Sequence, residues 1–439
     1  MSLASSAAQR PAGKITEVFT VSAEREAAFR FVESDHIRAA EVAGAAHRAT
    51  GRRCWGQSIV YVPVDGSSLS LTDHALEKGL GLVGARASAA PGLQVMTAIA
   101  VSVAGTPLGP CGQVWWARTE RSPAKKHDRR PIEQKETIHW LEAVEQVRAS
   151  LRHGAPTTKP WFQLDRGGDA WAVFGDACRN RDGSFVTVRS AYERRLVGTI
   201  RGRRQYLWRT LQRQEPLGSY SVVVPAGPSR KARVAVMQLQ ACPVTLDLVD
   251  PHRQLQRFSV SVWAVRVREV GTTPPDETPI EWLLLTTYPV RNAQDAHQVL
   301  LGYATRWRIE DFHRTWKSGA CRVEDTQLRD RSHIEIWGTI MTSVAMRIQR
   351  LTHLARHESE LPATAELSSQ EIEATILLRK PKGVKRTDVP TIGEAVRWIA
   401  DLGGYTGKSS GGPPGAVVLA RGLQRIEPVA LVLSDGEKL

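Results

Sequence analysis

The run Tyr303-Ala304-Thr305-Arg306-Trp307-Arg308-Ile309-Glu310-Asp311-Phe312-His313-Arg314-Thr315-Trp316-Lys317 lies at the end of the longest helical periodicity in the chain, from Asn292 to about Trp316. Tyr303, Arg306, Glu310, Arg314 and Lys317 follow one another at helical spacings of three or four residues. At about 100° per residue they fall within an arc of roughly 80°. One helix face therefore presents a tyrosine, a carboxylate and three cations. Such a stripe also arises as a solvated row of i,i+4 ion pairs. A chemical reading requires a phosphate-rich ligand beside a carboxylate able to hold a metal.

Two further carboxylates bear on that choice. Ser58 to Asp65 is a β-branched apolar run that ends in Asp65, followed by Gly66-Ser67-Ser68. Trp161 to Asp165 is a second such strand, followed by Arg166-Gly167-Gly168. Taken singly, each aspartate could be a turn or helix-capping residue. Together, carboxylates at strand ends gather at one edge of an α/β sheet, where ligands bind. Two such aspartates and a glutamate from a covering helix can hold two divalent cations, and hard oxygen ligands suit Mg²⁺ or Mn²⁺.

The rest of the chain fits an α/β protein. Residues 1 to about 20 are small and polar and read as a frayed start, followed by one or two short helices between Ala23 and His47. Further strands are expected at Leu93 to Val103, Ser184 to Arg189 and Trp282 to Thr286. Helices are expected at Glu133 to Arg152, Asp169 to Arg179 and Ile334 to Leu354. Ala191 to Ile280 opens with a basic segment (Arg194 to Arg213) and continues as alternating β-type runs. Ala355 to Pro390 reads as a charged linker with one helix, and two more helical stretches close the chain around a Gly/Pro hinge.

The chain of 439 residues carries a formal net charge of +14. That surplus favours a polyanionic partner. No signal peptide or apolar run long enough to span a bilayer is evident, which predicts a cytoplasmic protein. The five cysteines, without a Cys-x-x-Cys pair, argue against a disulfide framework or a zinc site. Gly407-Lys408-Ser409 lacks the first glycine of a phosphate-binding loop, since Leu402 stands there. Lys125, Lys126, Arg129 and Arg130 form a basic loop able to meet DNA or solvent equally well.

The fifteen residues quoted first fit the signature Tyr-x2-Arg-x3-Glu-x6-Lys. On them the chain resembles the insertion-sequence-four family of DDE transposases, most closely the transposon-five type. The resemblance extends to Asp-Gly-Ser-Ser-Leu-Ser from Asp65, Gln-Val-Trp-Trp-Ala-Arg from Gln113, Leu-Asp-Arg-Gly-Gly-Asp from Leu164, Phe-Val-Thr-Val-Arg-Ser from Phe185 and Glu-Trp-Leu-Leu-Leu-Thr from Glu281. It implies an RNase H-like catalytic core over residues 51–360 with a β-rich insertion at about 191–280. A short helical N-terminal region over 1–50, a partial DNA-end-binding domain, would precede it, and a helical dimerisation region over 361–439 would follow.

By the same resemblance Asp65, Asp165 and Glu310 would be catalytic and would bind two Mg²⁺, with Mn²⁺ able to substitute. Tyr303, Arg306, Arg314 and Lys317 would grip phosphates at the transposon end, and Arg189 would be another DNA contact. Trp282 and the tryptophans near Trp115 would handle a flipped base. The implied activity is cut-and-paste transposition: cleavage at terminal inverted repeats, a hairpin intermediate, and strand transfer into target DNA. It would be carried out by a homodimer cutting in trans, associated with a bacterial nucleoid. The family's end-recognition region is longer than the segment before Asp65 here. An N-terminally shortened, non-transposing inhibitor or DNA-binding form is therefore the alternative, and an RNase H-like nuclease without strand transfer is a second rival.

Overall fold

A computed structural model describes residues 3–84, 89–118, 131–179, 182–224, 226–227, 230–250, 256–407 and 412–436. The basic loop with Lys125, Lys126, Arg129 and Arg130 lies outside the described residues, as do Lys408 and Ser409.

Four helices come first: α1 (Leu3–Gln9), α2 (Ile15–Val18), α3 (Ser22–Val32) and α4 (Ala39–Arg53). The start is not frayed as its composition suggested. Ala7, Ala12, Ile15, Val18 and Phe19 are all buried, and the Trp337 indole N–H donates to the Gly13 carbonyl at 2.7 Å. A few apolar side chains suffice here because the long C-terminal helices supply the surface that covers them.

The strands β1 (Ile59–Ser70), β2 (Gly81–Val83), β3 (Ala90–Val101) and β4 (Pro107–Trp116) come next. Helix α5 (Thr137–Gly154) then leads to β5 (Lys159–Leu164), and α6 (Trp171–Arg179) leads to β6 (Phe185–Arg189). β1, β5 and β6 are parallel neighbours, while β3 and β4 add antiparallel strands on the other side of β1. Parallel pairing requires crossover helices, and α5 and α6 supply them.

The stretch after Ala191 is β-rich, as its alternating pattern indicates. It contains β7 (Arg195–Ile200), β8 (Arg203–Tyr206), a short helix α7 (Leu207–Gln212), β9 (Gly218–Val224), and the long hairpin of β10 (Arg233–Asp250) and β11 (Gln256–Val270). β12 (Glu281–Thr286) joins that hairpin to β6, so the described strands form one sheet in the order β2-β3-β1-β5-β6-β12-β11-β10-β7-β8, with β4 on β3 and β9 on β10. Arg194, at the head of the basic segment, is structural: it forms an ion pair with buried Asp169 at 2.6 Å.

Six helices complete the chain: α8 (Ala293–Ala304), α9 (Trp307–Lys317), α10 (Arg331–His357), α11 (Ser369–Arg379), α12 (Ile392–Leu402) and α13 (Ala416–Gly436). The expected single helix from Asn292 to Trp316 is two helices, broken at Thr305–Arg306. Capping boxes start α11 (Ser368 with Glu371) and α12 (Thr391 with Glu394).

The core is split by the sheet. Val60, Val62, Val64, Phe162 and Leu164 pack toward Ala143, Val147, Val173 and Phe174 on α5 and α6. Tyr61, Trp161, Ile99 and Leu284 face Ile309, Phe312, Trp316 and Trp337 on α9 and α10. Both faces of the parallel strands are therefore covered, which accounts for their nearly unbroken apolar runs. α12 and α13 meet through glycines. A Cβ at Gly422 would fall 1.9 Å from the Ile399 carbonyl oxygen, and one at Gly403 would fall 2.0 Å from that of Val418. These are glycines of Leu402-Gly403-Gly404-Tyr405 and Arg421-Gly422-Leu423, and they serve a helix contact within the chain.

Candidate active site

β1 and β5 bring two carboxylates side by side. The register Val64 opposite Leu164 sets Asp65 and Asp165 at the next position of adjacent parallel strands. Asp165 ends its strand as the sequence suggests, and its Oδ1 accepts from the Gly167 amide at 2.7 Å. Asp65 does not end its strand. It pairs with Thr97, and β1 runs on to Ser70 because β3 continues the antiparallel ladder there. Its Oδ1 accepts from the Gly66 amide at 2.9 Å.

Glu310 reaches the pair through an arginine. Arg306, at the break before α9, donates from one guanidinium nitrogen to Glu310 at 2.6 Å and from the other to Asp65 at 3.3 Å. The arginine is itself buried. Burial pushes the Asp65 carboxyl up to about 7; the nearby negative charge of Asp165 adds to this, and Arg306 opposes it. Two of the three carboxylates, Asp65 and Glu310, thus share one fixed cation, with Asp165 on the adjacent strand.

The remaining candidates divide into two groups. Tyr303 ends α8 and is buried, not displayed on a continuous helix face. Its ring meets Trp282 edge-on at 5.4 Å and lies 5.9 Å from the Arg306 guanidinium. Arg189, on β6 opposite Leu284, donates to the Glu281 carbonyl at 3.4 Å, beside Trp282. Trp282, Tyr303, Arg306, Glu310 and Asp65 consequently form one contiguous path. Arg314 and Lys317 stand apart from it. Arg314 is turned to solvent and pairs with Asp311 at 3.1 Å, and Lys317 pairs with Glu324 at 3.7 Å. His313, on the same helix, is a core residue, held well below the usual histidine range at about 3 by burial.

A cleft of about 440 Å³ opens over the aspartates, lined by Asp65, Asp165, Trp116, Arg118, Glu136 and Trp140 among others. Trp116 stacks on His139 at 4.1 Å, and Arg118 forms an ion pair with Glu136. Trp115, by contrast, turns inward onto Trp316 and donates to Thr339 at 3.1 Å. The Trp115-Trp116 doublet hinted at this wall. Nothing local marked Glu136 or Trp140, which arrive from α5 and the residue preceding it.

A sequence model described as the transposase DDE domain matches residues 112–346, more than half of the chain. The chain belongs to the DDE transposase family. A second model, described as the transposase Tn5 dimerisation domain, matches residues 343–436, so this is a DDE transposase of the Tn5 type. Its β4-β3-β1-β5-β6 sheet with α5 and α6 is the RNase H-like core of that family. Among solved structures, a piggyBac transposase synaptic complex with hairpin DNA is similar at 9% identity and a TM-score of 0.33. The match covers 69% of this chain and 48% of that one, so the chain spans about half the length of that transposase.

The oxygen-only donor set of this DDE transposase fits a hard divalent cation, and the proton affinity of Asp65 is raised first by burial and then by the neighbouring charge of Asp165. Among the described residues, no three His, Cys, Asp or Glu side chains converge closely enough to hold an ion as they stand. Arg306 occupies the space between two of them. No helix among the described residues is long and apolar enough to cross a membrane.

Proposed function

We propose that this chain is a DNA transposase that cleaves at transposon ends and joins them to target DNA, with Asp65, Asp165 and Glu310 as the catalytic carboxylates. The observation that carries the reading is the Arg306 bridge between Asp65 and Glu310, one strand away from Asp165. Those carboxylates would hold two divalent cations, Mg²⁺ or Mn²⁺, whose Lewis acidity relieves charge at the scissile phosphate. Arg306 would exchange a carboxylate for a phosphate oxygen when DNA enters, which suits a planar guanidinium with several donors.

The path from Trp282 through Tyr303 to Arg306 suits a DNA end with an unstacked base. Flipping a base costs a few kcal/mol, and an aromatic face offsets part of that. Such a base supports a hairpin intermediate, because a free 3′-hydroxyl must turn sharply to attack the opposite strand. Arg189 would contact the backbone beside Trp282, while Arg314 and Lys317 would meet phosphates farther along the end. The terminal inverted repeats and the target DNA are the partners in this reading. The 343–436 region would pair two copies, each cutting the end held by the other. Residues 1–50, 51–360 and 361–439 would serve end binding, catalysis and dimerisation, with 191–280 inserted into the core.

Incubation of the full chain with a duplex carrying the element's terminal repeats and Mg²⁺ tests this. Nicked and hairpinned ends are expected with the wild type and neither with Asp165→Ala. Binding without any cleavage by the wild type would instead assign the chain as a DNA-binding or inhibitory form.

A further inference from the structure

A second cavity, of about 370 Å³, lies between α9, the end of α10 and the start of α13. Arg308, Arg314 and Arg356 line it, against the single carboxylate of Asp311, which already pairs with Arg314. The Arg308 guanidinium makes no hydrogen bond or salt bridge among the described residues. Burial pulls its pKa down, the charge of Asp311 opposes this in part, and the positive charge of Arg356 adds to the lowering. His353 also lines the cavity. It is 5% exposed, and neither ring nitrogen has a hydrogen-bond partner among the described residues. Its ring lies 4.5 Å from that of His357, a second lining residue.

The first turn of α13 closes the cavity. Ala416, Val417 and Val418 line it, and the first amide of this helix to find an intrahelical acceptor is that of Leu419, bonded to Gly415. Amides of a first turn point out of the helix start, where the macrodipole favours negative charge. An unpaired arginine, a buried imidazole without a partner (His353) and a helix start are each costly when left facing one another. One occupant satisfies all three: an anion with several acceptor oxygens.

We propose that this cavity is a phosphate-binding site, separate from the carboxylate centre. Its ligand is a phosphoryl group, borne either by a DNA backbone or by a small free phosphate compound. Arg308 and Arg356 neutralise it, His353 donates to it, and the α13 amides hold the remaining oxygens. The site stands on its own geometry and does not depend on the catalytic roles assigned above.

The test uses the full chain, inorganic phosphate and a repeat-free DNA duplex. Calorimetric titration with phosphate at constant ionic strength should show saturable binding, weakened at least tenfold in Arg308→Gln/Arg356→Gln. If the DNA backbone is the source, the same variant should lower the salt slope of duplex binding by about one unit per lost contact. An unchanged slope with lost phosphate binding assigns the site to a free phosphate compound. Absence of phosphate binding by the wild type, or equal binding by the variant, overturns the proposal. Should the double variant fail to fold, Arg308→Ala at its half-buried position reads the same contrast. Glu310→Gln should leave phosphate binding intact even where it removes DNA cleavage.

Discussion

The Arg306 guanidinium lies 2.6 Å from Glu310 and also reaches Asp65, so a carboxylate from a helix and one from a strand are tied by a single buried cation. Removing that cation leaves the carboxylates to repel each other. Arg306→Gln should lower stability by about 1–3 kcal/mol, less than for a fully buried pair because Glu310 is partly exposed. Millimolar Mg²⁺ should restore more stability to the variant than it adds to the wild type. Thermal melts with and without Mg²⁺ decide this, and equal Mg²⁺ shifts in both proteins would count against a shared site.

Asp165→Ala and Glu310→Ala should reduce end cleavage by at least about 10³-fold while DNA affinity stays within a few-fold. Electrophoretic binding and cleavage assays on the same duplex separate the two effects. Loss of binding in parallel with cleavage would make these residues structural.

Lys317 and Trp282 address different steps. Lys317→Ala should flatten the salt dependence of end binding by about 0.9 in log–log slope, the value for one lost phosphate contact. Trp282→Ala should impair hairpin formation more than the first nick. Equal losses at both steps would remove the tryptophan from base handling.

Three buried histidines predict acid sensitivity. His47 is pushed down to about 4 by burial and by Arg48, His353 to about 4 by burial and by Arg308, and His313 to about 3 by burial and by Lys317. Each folded value lies below the ordinary value of about 6.5, so the unfolded chain takes up protons first. The stability they contribute is intact above about pH 6.5 and falls as the pH drops toward 4. The expected loss is up to about 1.4 kcal/mol per pH unit for each histidine. Urea unfolding at pH 7.5 and pH 5.5 measures it, and His47→Gln should flatten the dependence.

Gly422→Ala places a methyl group against the Ile399 carbonyl, with backbone on both sides of the contact. It should cost about 1–3 kcal/mol through the shift forced on α12 and α13. An unchanged urea midpoint would show that the two helices separate freely.

Much of the site was legible because its geometry is local. Glu310 with Arg306 is an i,i+4 pair, and Asp165 sits where an apolar run meets Arg-Gly-Gly. The β-rich stretch after Ala191 announced itself by alternation. What escaped was decided by distant partners. Thr305 and Arg306 break a helix with neither proline nor glycine at the break, so periodicity ran across it and put Tyr303 on an outer face. Asp65 continues its strand because Thr97 is there to pair with it. Ile15, Val18 and Phe19 are too few to show a period, yet Trp337 and its neighbours bury them. Trp140 reaches the aspartates from the first turn of α5, a placement that depends on how that helix packs on the sheet and not on its own sequence.

The β10–β11 hairpin springs from the same sheet that carries the two aspartates. Six successive residue pairs, from Trp263 with Thr286 to Arg268 with Glu281, fasten it to β12, and β12 is fastened in turn to β6. It behaves as a cantilever and not as a tethered lobe: its bearing relative to Asp65 and Asp165 is set by rungs of backbone bonding. Swinging it would mean shearing a ladder, so a polymer laid along it would meet the carboxylates at an angle already determined when the chain folds.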